Sequence, residues 1–171
     1  MRPAVVTLAL SVAAALSIAA CSAVLPATYS ESDLPDLGAL TIEWGCGHGF
    51  WASNPPQTVA LRFAYQGEGG APTPEIDLPH PEWEATLVEG TDLFANWCDD
   101  VIETDEPVPV EHWNLTVVAG HLSIEGDPGE QFSGGSMSVS ATGLKVELVD
   151  GTVVDLGDID ISNPMWGFFA G

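Results

Sequence analysis

Apolar side chains recur at every second position along this chain, in short runs punctuated by Gly, Pro, Asn and Asp, which is the period of a β-strand with one buried face. Residues 58–65 show it best. Val59, Leu61, Phe63 and Tyr65 fall on one face, with Thr58, Ala60, Arg62 and Ala64 on the other. Residues 39–44 alternate less regularly and stop at Gly45; residues 83–89 and 93–101 read as the next strands. Residues 111–118 and 121–125 form two strands, or one bent at Ala119-Gly120. A Gly-rich loop over 127–135 precedes a short strand at 137–141. Residues 144–149 and 152–156 flank Asp150-Gly151, a pair suited to a type I′ hairpin turn in which both central residues take φ > 0. Residues 159–162 make the last strand. The 18 Gly and 13 Pro are too scattered for helices. The pattern predicts an all-β fold: an antiparallel β-sandwich, with the immunoglobulin-like form as one version and a small β-barrel as the alternative.

The N-terminus follows another logic. Met1 and Arg2 precede an uncharged run over residues 4–20, no longer than the shortest stretch, about 17 residues, that crosses a bilayer. It ends in Ile18-Ala19-Ala20-Cys21, which resembles the lipobox of bacterial lipoproteins: an aliphatic residue, two small ones, then the lipid-bearing cysteine. The resemblance implies a signal peptide over residues 1–20, removed on export, and fatty acyl chains such as palmitate carried by Cys21. Two or three chains hold a protein to a membrane where one does not. Residues 21–36 then form a polar lead and residues 37–171 a single domain, since two would each be too small for a good core. The implied location is the extracytoplasmic face of the cell membrane. Ser22 in place of Asp also leaves the outer membrane open in a diderm host. Cys46-Gly47-His48-Gly49-Phe50-Trp51 and Asn96-Trp97-Cys98-Asp99-Asp100 resemble small secreted actinobacterial lipoproteins of unassigned function, which implies no activity.

Charge narrows the partners. The chain has 25 Asp and Glu against three Lys and Arg, a formal net charge of −22, and Arg2 lies in the signal. Such a field repels phosphate backbones and excludes nucleic acid. It also pushes the domain away from anionic head groups, so the membrane is contacted through the lipid anchor. The acidic surface is read as adaptation to a saline medium ahead of cation binding. Disorder is excluded because 46% of residues are hydrophobic and strongly periodic.

With Cys21 lipidated, Cys46 and Cys98 remain, an even pair in an oxidising compartment, and a disulfide between them is expected. That link would set Gly45–Trp51 beside 96–100 and gather His48, Trp51, Asn96, Asp99 and Asp100 into a candidate ligand-binding site. Trp51 follows a Gly-rich loop and is read first as a core or loop anchor; the alternative is an exposed aromatic platform of the type that receives a sugar or peptide. No catalytic residue is assigned, for there is no Gly-x-Ser-x-Gly elbow and the abundant carboxylates single out no pair. No cofactor is expected, and the metal question is open: His112 and His121 lack zinc-site spacing, and Asp155, Asp158 and Asp160 make no complete calcium loop. The leading reading is a membrane-anchored, non-enzymatic binding or envelope-associated domain with an unknown partner. A small-ligand or cation-binding module near the disulfide comes second, and an extracytoplasmic hydrolase last.

Salt should stabilise this domain. The screening length falls from about 10 Å at 0.1 M to about 3 Å at 1 M, which relieves repulsion that is strongest in the compact state. The melting temperature should rise with NaCl and KCl alike; a flat or falling response would show that the carboxylates are too well separated to matter.

Overall fold

The computed structural model describes residues 34–67, 72–95, 107–130 and 134–167. The fold is antiparallel β almost throughout, as the alternation predicts. A one-turn 3₁₀ segment, Leu37–Ala39, leads into β1 (Ile42–Trp44), β2 (Gly49–Ser53), β3 (Val59–Tyr65), β4 (Glu75–Leu78), β5 (Trp83–Thr91), β6 (Val110–Glu130), β7 (Gly134–Glu147) and β8 (Val153–Trp166). Among the described residues no helix is long and apolar enough to cross a membrane.

The strands lie in the order β1-β2-β3-β5-β6-β7-β8, with β4 on the second half of β6. Neighbours in the sheet are nearly neighbours in sequence. This is an up-and-down meander that curls almost into a barrel, without the Greek-key crossings of an immunoglobulin sandwich. Inward positions follow the pleat: Phe50 and Ala52 of β2, Leu61 and Phe63 of β3, Leu87 of β5, Leu122 of β6 and Leu144 and Val146 of β7 are all at or below 1% exposure. Val59 and Tyr65 pack against this core half-buried.

Of the three longest strands, β6 and β7 each change phase once and β8 twice. In β6 the buried positions pass from Leu115 and Val117 to Leu122 and Ile124; in β7 they pass from Met137, Val139 and Ala141 to Leu144 and Val146. In β8 they pass from Val154 to Ile161 and Asn163 and then to Trp166, the second slip lying opposite the register shift between Gly135 and Met137. Each slip coincides with a register shift between paired strands, at Val117–His121 in β6 and Ala141–Lys145 in β7, and Leu144 pairs with Gly157 of β8. Gly143 (φ +60°) and Gly157 (φ +94°) supply the left-handed residues that such bulges use. A bulge strands backbone N–H groups, and carboxylates take them up. Gly143 N donates to Asp158 Oδ1 at 2.7 Å, and Gly157 N to Asp155 Oδ1 at 2.8 Å. The runs that looked like separate strands are therefore single strands bent along one line, and this bend lets the sheet curl.

Two local expectations change. The Gly-rich stretch before Trp51, expected to be loop, runs into a strand, Gly49–Ser53, because Phe50 and Ala52 each reach the core. The hairpin at Asp150-Gly151 is not type I′. Gly151 has φ +85°, but Asp150 is not in the positive-φ region. Gly151 N donates to Leu148 O and Leu148 N to Thr152 O, closing a three-residue loop with a glycine bulge. Asp150 keeps negative φ because its carboxylate accepts from Thr152 N at 2.9 Å, a contact that also lowers its pKa.

The seam of the barrel is closed by a side chain. Seven strands lie along the main path, so the first and last run the same way, and the closing contact, Gly47 with Trp166, is parallel. Asn163, fully buried, donates from Nδ2 to Gly49 O at 2.7 Å and to Gly47 O at 3.3 Å, and its Oδ1 accepts from Met165 N at 2.8 Å. Gly167 N adds a bond to Gly47 O at 2.9 Å, and Ser162 N donates to Glu43 Oε2 at 2.9 Å. Gly45 leaves room for this: a Cβ there would lie 2.4 Å from Asn163 Cγ.

Asn163→Ala should therefore cost about 3 kcal/mol, since it takes this partner from the Gly49 carbonyl and the Met165 N–H and leaves the Gly47 carbonyl only its bond from Gly167. Asn163→Asp should cost at least as much, because a carboxylate cannot donate to either carbonyl. Denaturant unfolding measures both, and a loss below about 1 kcal/mol for each would show that the seam closes without Asn163.

Candidate functional site

The two faces of β2 separate the residues that the expected site would join. His48 lies on the inner side with Phe50 and enters the ring cluster at the closing end of the barrel. Its ring centroid is 5.3 Å from Trp166 and 6.1 Å from Tyr65, and Phe50, Tyr65 and Trp83 pack around the same Trp166. Burial pushes the His48 imidazole below its ordinary pKa, so it is neutral at pH 7. Trp51 points to the outer side. The structure does not bring His48 and Trp51 together: Trp51 alternates with Phe50 across β2, and His48, just before the strand, packs with Phe50 around Trp166. Cys46 is buried at 9% exposure. Cys21, Asn96, Cys98, Asp99 and Asp100 lie outside the described residues.

On the outer face Trp51 finds other neighbours. Cross-strand pairing sets Trp51, Arg62 and Thr86 in one row, and Gly49, Ala64 and Glu84 in the next. Large and small residues are unevenly spread over this lattice. Gly49 has no side chain, and the Trp51 indole leans over it, so that a Cβ at position 49 would lie 3.0 Å from Trp51 Cζ2. Ala64 beside it is short. The gap between the indole, the guanidinium and the Glu84 carboxylate is a groove of about 140 Å³ lined by Trp51, Arg62, Ala64, Glu84 and Thr86. Arg62 is fixed at its base: Nε donates to Thr86 Oγ1 at 3.2 Å and Nη1 to Glu111 Oε1 at 2.8 Å. The far wall is rigid too, since Trp51 also packs on a small apolar cluster of Ala60, Val88, Leu93 and Phe94. Trp113 faces the core half-buried and gives its indole N–H to Glu89.

A second polar group sits on β4 and β6. His121 lies between two carboxylates, Nε2 at 2.7 Å from Glu75 Oε2 and Nδ1 at 2.9 Å from Asp77 Oδ1, while Ser123 Oγ donates to Glu75 Oε1 at 2.9 Å. Ser, His and Asp in one network suggest a hydrolytic triad, but the chemistry is wrong. Ionised carboxylates only accept, so both ring nitrogens carry hydrogen, and the imidazolium has no lone pair to take a proton from Ser123. These bonds, the one to Asp77 first, raise the His121 pKa; those from Ser123 and then His121 lower that of Glu75. On the β7 side His121 faces Thr142, and the same face carries Asp158 and Asp160 of β8. Asp155 and Asp158 serve as acceptors for bulge N–H groups, as described above. Among the described residues no three His, Cys, Asp or Glu side chains are grouped to hold a metal ion.

Comparison with known protein families, curated proteins and solved structures found no match to this chain. The groove is therefore interpreted from its own geometry. Two signals for it were present in the sequence, the alternation of β3 that puts Arg62 and Ala64 outward and the exposed reading of Trp51. Glu84 and Thr86 were not foreseeable, for nothing local says which strand lies beside β3.

The His121 cluster makes a prediction with a definite sign. Its folded pKa is raised, so its contribution is fully present below the ordinary value of 6.5 and is lost as pH rises through the folded value. The lowered pKa of Glu75 gives stability present above its ordinary 4.5 and lost as pH falls through the folded value. Wild type should therefore exceed His121→Gln in melting temperature most between these two ordinary values, and the difference should shrink towards pH 8. An equal difference at pH 5.5 and pH 8 would show that His121 is not charged in this cluster.

Proposed function

We propose that the protein is a membrane-anchored extracytoplasmic lipoprotein, acting as a non-enzymatic binding domain of the cell envelope through the Trp51–Arg62 groove. The observation that carries this reading is the groove itself: an aromatic wall, a small-residue floor and a fixed guanidinium on the open face of a rigid sheet. Preorganised polar groups beside an apolar wall bind; they do not by themselves transfer a proton or attack a bond. The His121 cluster, with both nitrogens committed to carboxylates, does not supply the base that a hydrolase needs.

The anchor rests on Ile18-Ala19-Ala20-Cys21, and the polar lead between the lipid and Leu37 gives the acidic domain room to stand off the membrane. We include in the proposal a disulfide joining Cys46 to Cys98. Cys46 and Cys98 are the two cysteines left once Cys21 carries lipid, an even pair in an oxidising compartment. The link would close a loop of about 50 residues and stabilise the domain by roughly 4 kcal/mol in the chain-entropy treatment. It would also tie the segment after Leu93 and Phe94 to the seam near Gly45 and Gly47.

Three measurements test the proposal. Cys21→Ala should move the protein from the membrane fraction to the soluble one; a variant that still partitions into detergent like wild type refutes the anchor. Envelope fragments from the source cells should co-sediment the protein, and Ala64→Leu, which fills the floor of the groove from the outer face, should release it. Equal sedimentation of the variant refutes the groove as the contact surface. Non-reducing peptide mapping should find Cys46 linked to Cys98, and free thiols at both would refute that bond.

A further inference from the structure

We infer that the Trp51–Arg62 groove is a subsite for one ring of a neutral saccharide; this deepens the binding reading above and rests on it. Three observations select the ligand class. The first is charge. Arg62 is neutralised by Glu111 at 2.8 Å, Glu84 adds a carboxylate at the rim, and the whole chain carries −22. A phosphate or uronate would meet net repulsion, and a metal cation would find a single carboxylate, Glu84, where it needs several ligands. An uncharged ligand escapes both.

The second is the surface it would touch. One wall is the indole of Trp51 and the floor is Ala64, while Arg62, Thr86 and Glu84 line the remaining side with donors and acceptors. An apolar wall beside a rim of mixed donors and acceptors fits a ring with C–H groups on its face and hydroxyls on its edge. A sugar ring has both, whereas a purely apolar ligand would desolvate the Glu84 carboxylate and give it no hydrogen bond in return.

The third is size. About 140 Å³ is well below the roughly 300–1,000 Å³ that enclose a whole small-molecule ligand. There is room for a single ring with the rest of the molecule in solvent, so the natural ligand is a unit within or at the end of a longer glycan. One ring of about a dozen heavy atoms, at the ligand efficiency of ordinary small molecules, gives a dissociation constant on the order of millimolar. Strength at the membrane then comes from many anchored copies engaging one polymer.

The test is a titration of the full-length protein, purified in detergent, followed through the indole ¹H–¹⁵N resonances of its six tryptophans. Trp51→Phe identifies the Trp51 signal. The probes are neutral methyl hexosides, neutral N-acetylhexosamine oligomers and the matching glucuronate oligomers. Neutral sugars should shift the Trp51 resonance with a dissociation constant of about 1 mM to 10 mM. Glucuronates and the Ala64→Leu variant should each bind roughly tenfold or more weakly, the variant with an unchanged melting temperature. The inference is overturned if no neutral sugar shifts Trp51 at its solubility limit, if glucuronates bind as well, or if Ala64→Leu binds as wild type. The two levels separate cleanly. If sugars fail while Ala64→Leu still releases the protein from envelope fragments, the groove is the contact and the ligand is not a saccharide. If Ala64→Leu sediments as wild type, the groove reading falls and the saccharide with it.

Discussion

One buried amide holds the two ends of the sheet together. A meander of seven strands ends with its first and last members parallel, and the first, three residues long, is too short to form a full ladder with the last. Asn163 substitutes for that ladder by offering two donors and one acceptor at a single point, to carbonyls of Gly47 and Gly49 and to the N–H of Met165. Everything at this end of the barrel follows from it. Gly45 must be small so that the amide can approach, Gly47 must present its carbonyl to both Asn163 and Gly167, and Trp166 is thereby set among the rings of Phe50, Tyr65, Trp83 and His48. His48, which by composition could be a ligand, becomes part of the plug.

Closure needs curvature, and the bulges of β6, β7 and β8 provide it. Acidic residues have a structural use at this line, where Asp155 and Asp158 hold bulge N–H groups that would otherwise lose their partners. The acidity of the chain is thus partly local chemistry of the backbone and partly a solvated surface. Only two cations lie beyond the N-terminal run, and they are placed differently: Arg62 is committed to Thr86 and Glu111 across the open sheet, and Lys145 sits half-buried on β7. His121 supplies a third positive charge when protonated, and spends it on β4, the short strand outside the main path.

The candidate groove is a consequence of side-chain size on a regular lattice. Two adjacent outward positions carry Gly49 and Ala64 while their neighbours carry Trp51, Arg62 and Glu84, and a depression is the geometric result. Its inner backing is among the best-packed parts of the molecule, with Phe50, Leu61, Phe63 and Leu87 fully buried directly beneath. A binding surface backed in this way loses little freedom when a ligand arrives, which suits a weak, repeated contact with a polymer.

The sequence by itself determined the all-β class, the antiparallel habit and the inward face of β3, because strand periodicity is a local property read directly from alternation. It also showed where β6, β7 and β8 bend, though the bends at Ala119-Gly120, Gly143 and Gly157 looked like gaps between strands. A phase slip has the same appearance in one dimension whether the strand ends or bulges. Tertiary structure alone decided how the sheet closes on itself, since closure depends on Asn163 meeting Gly47 and Gly49, residues over 110 positions away. It alone decided that His48 and Trp51 part company, because the Gly-rich stretch taken for loop runs into a strand whose alternate residues face opposite sides. And it alone assembled the groove, since Trp51, Arg62 and Glu84 come from three strands whose adjacency is set by the order of the whole sheet. Alternation tells each residue which way to face; only the closed sheet tells it whom it faces.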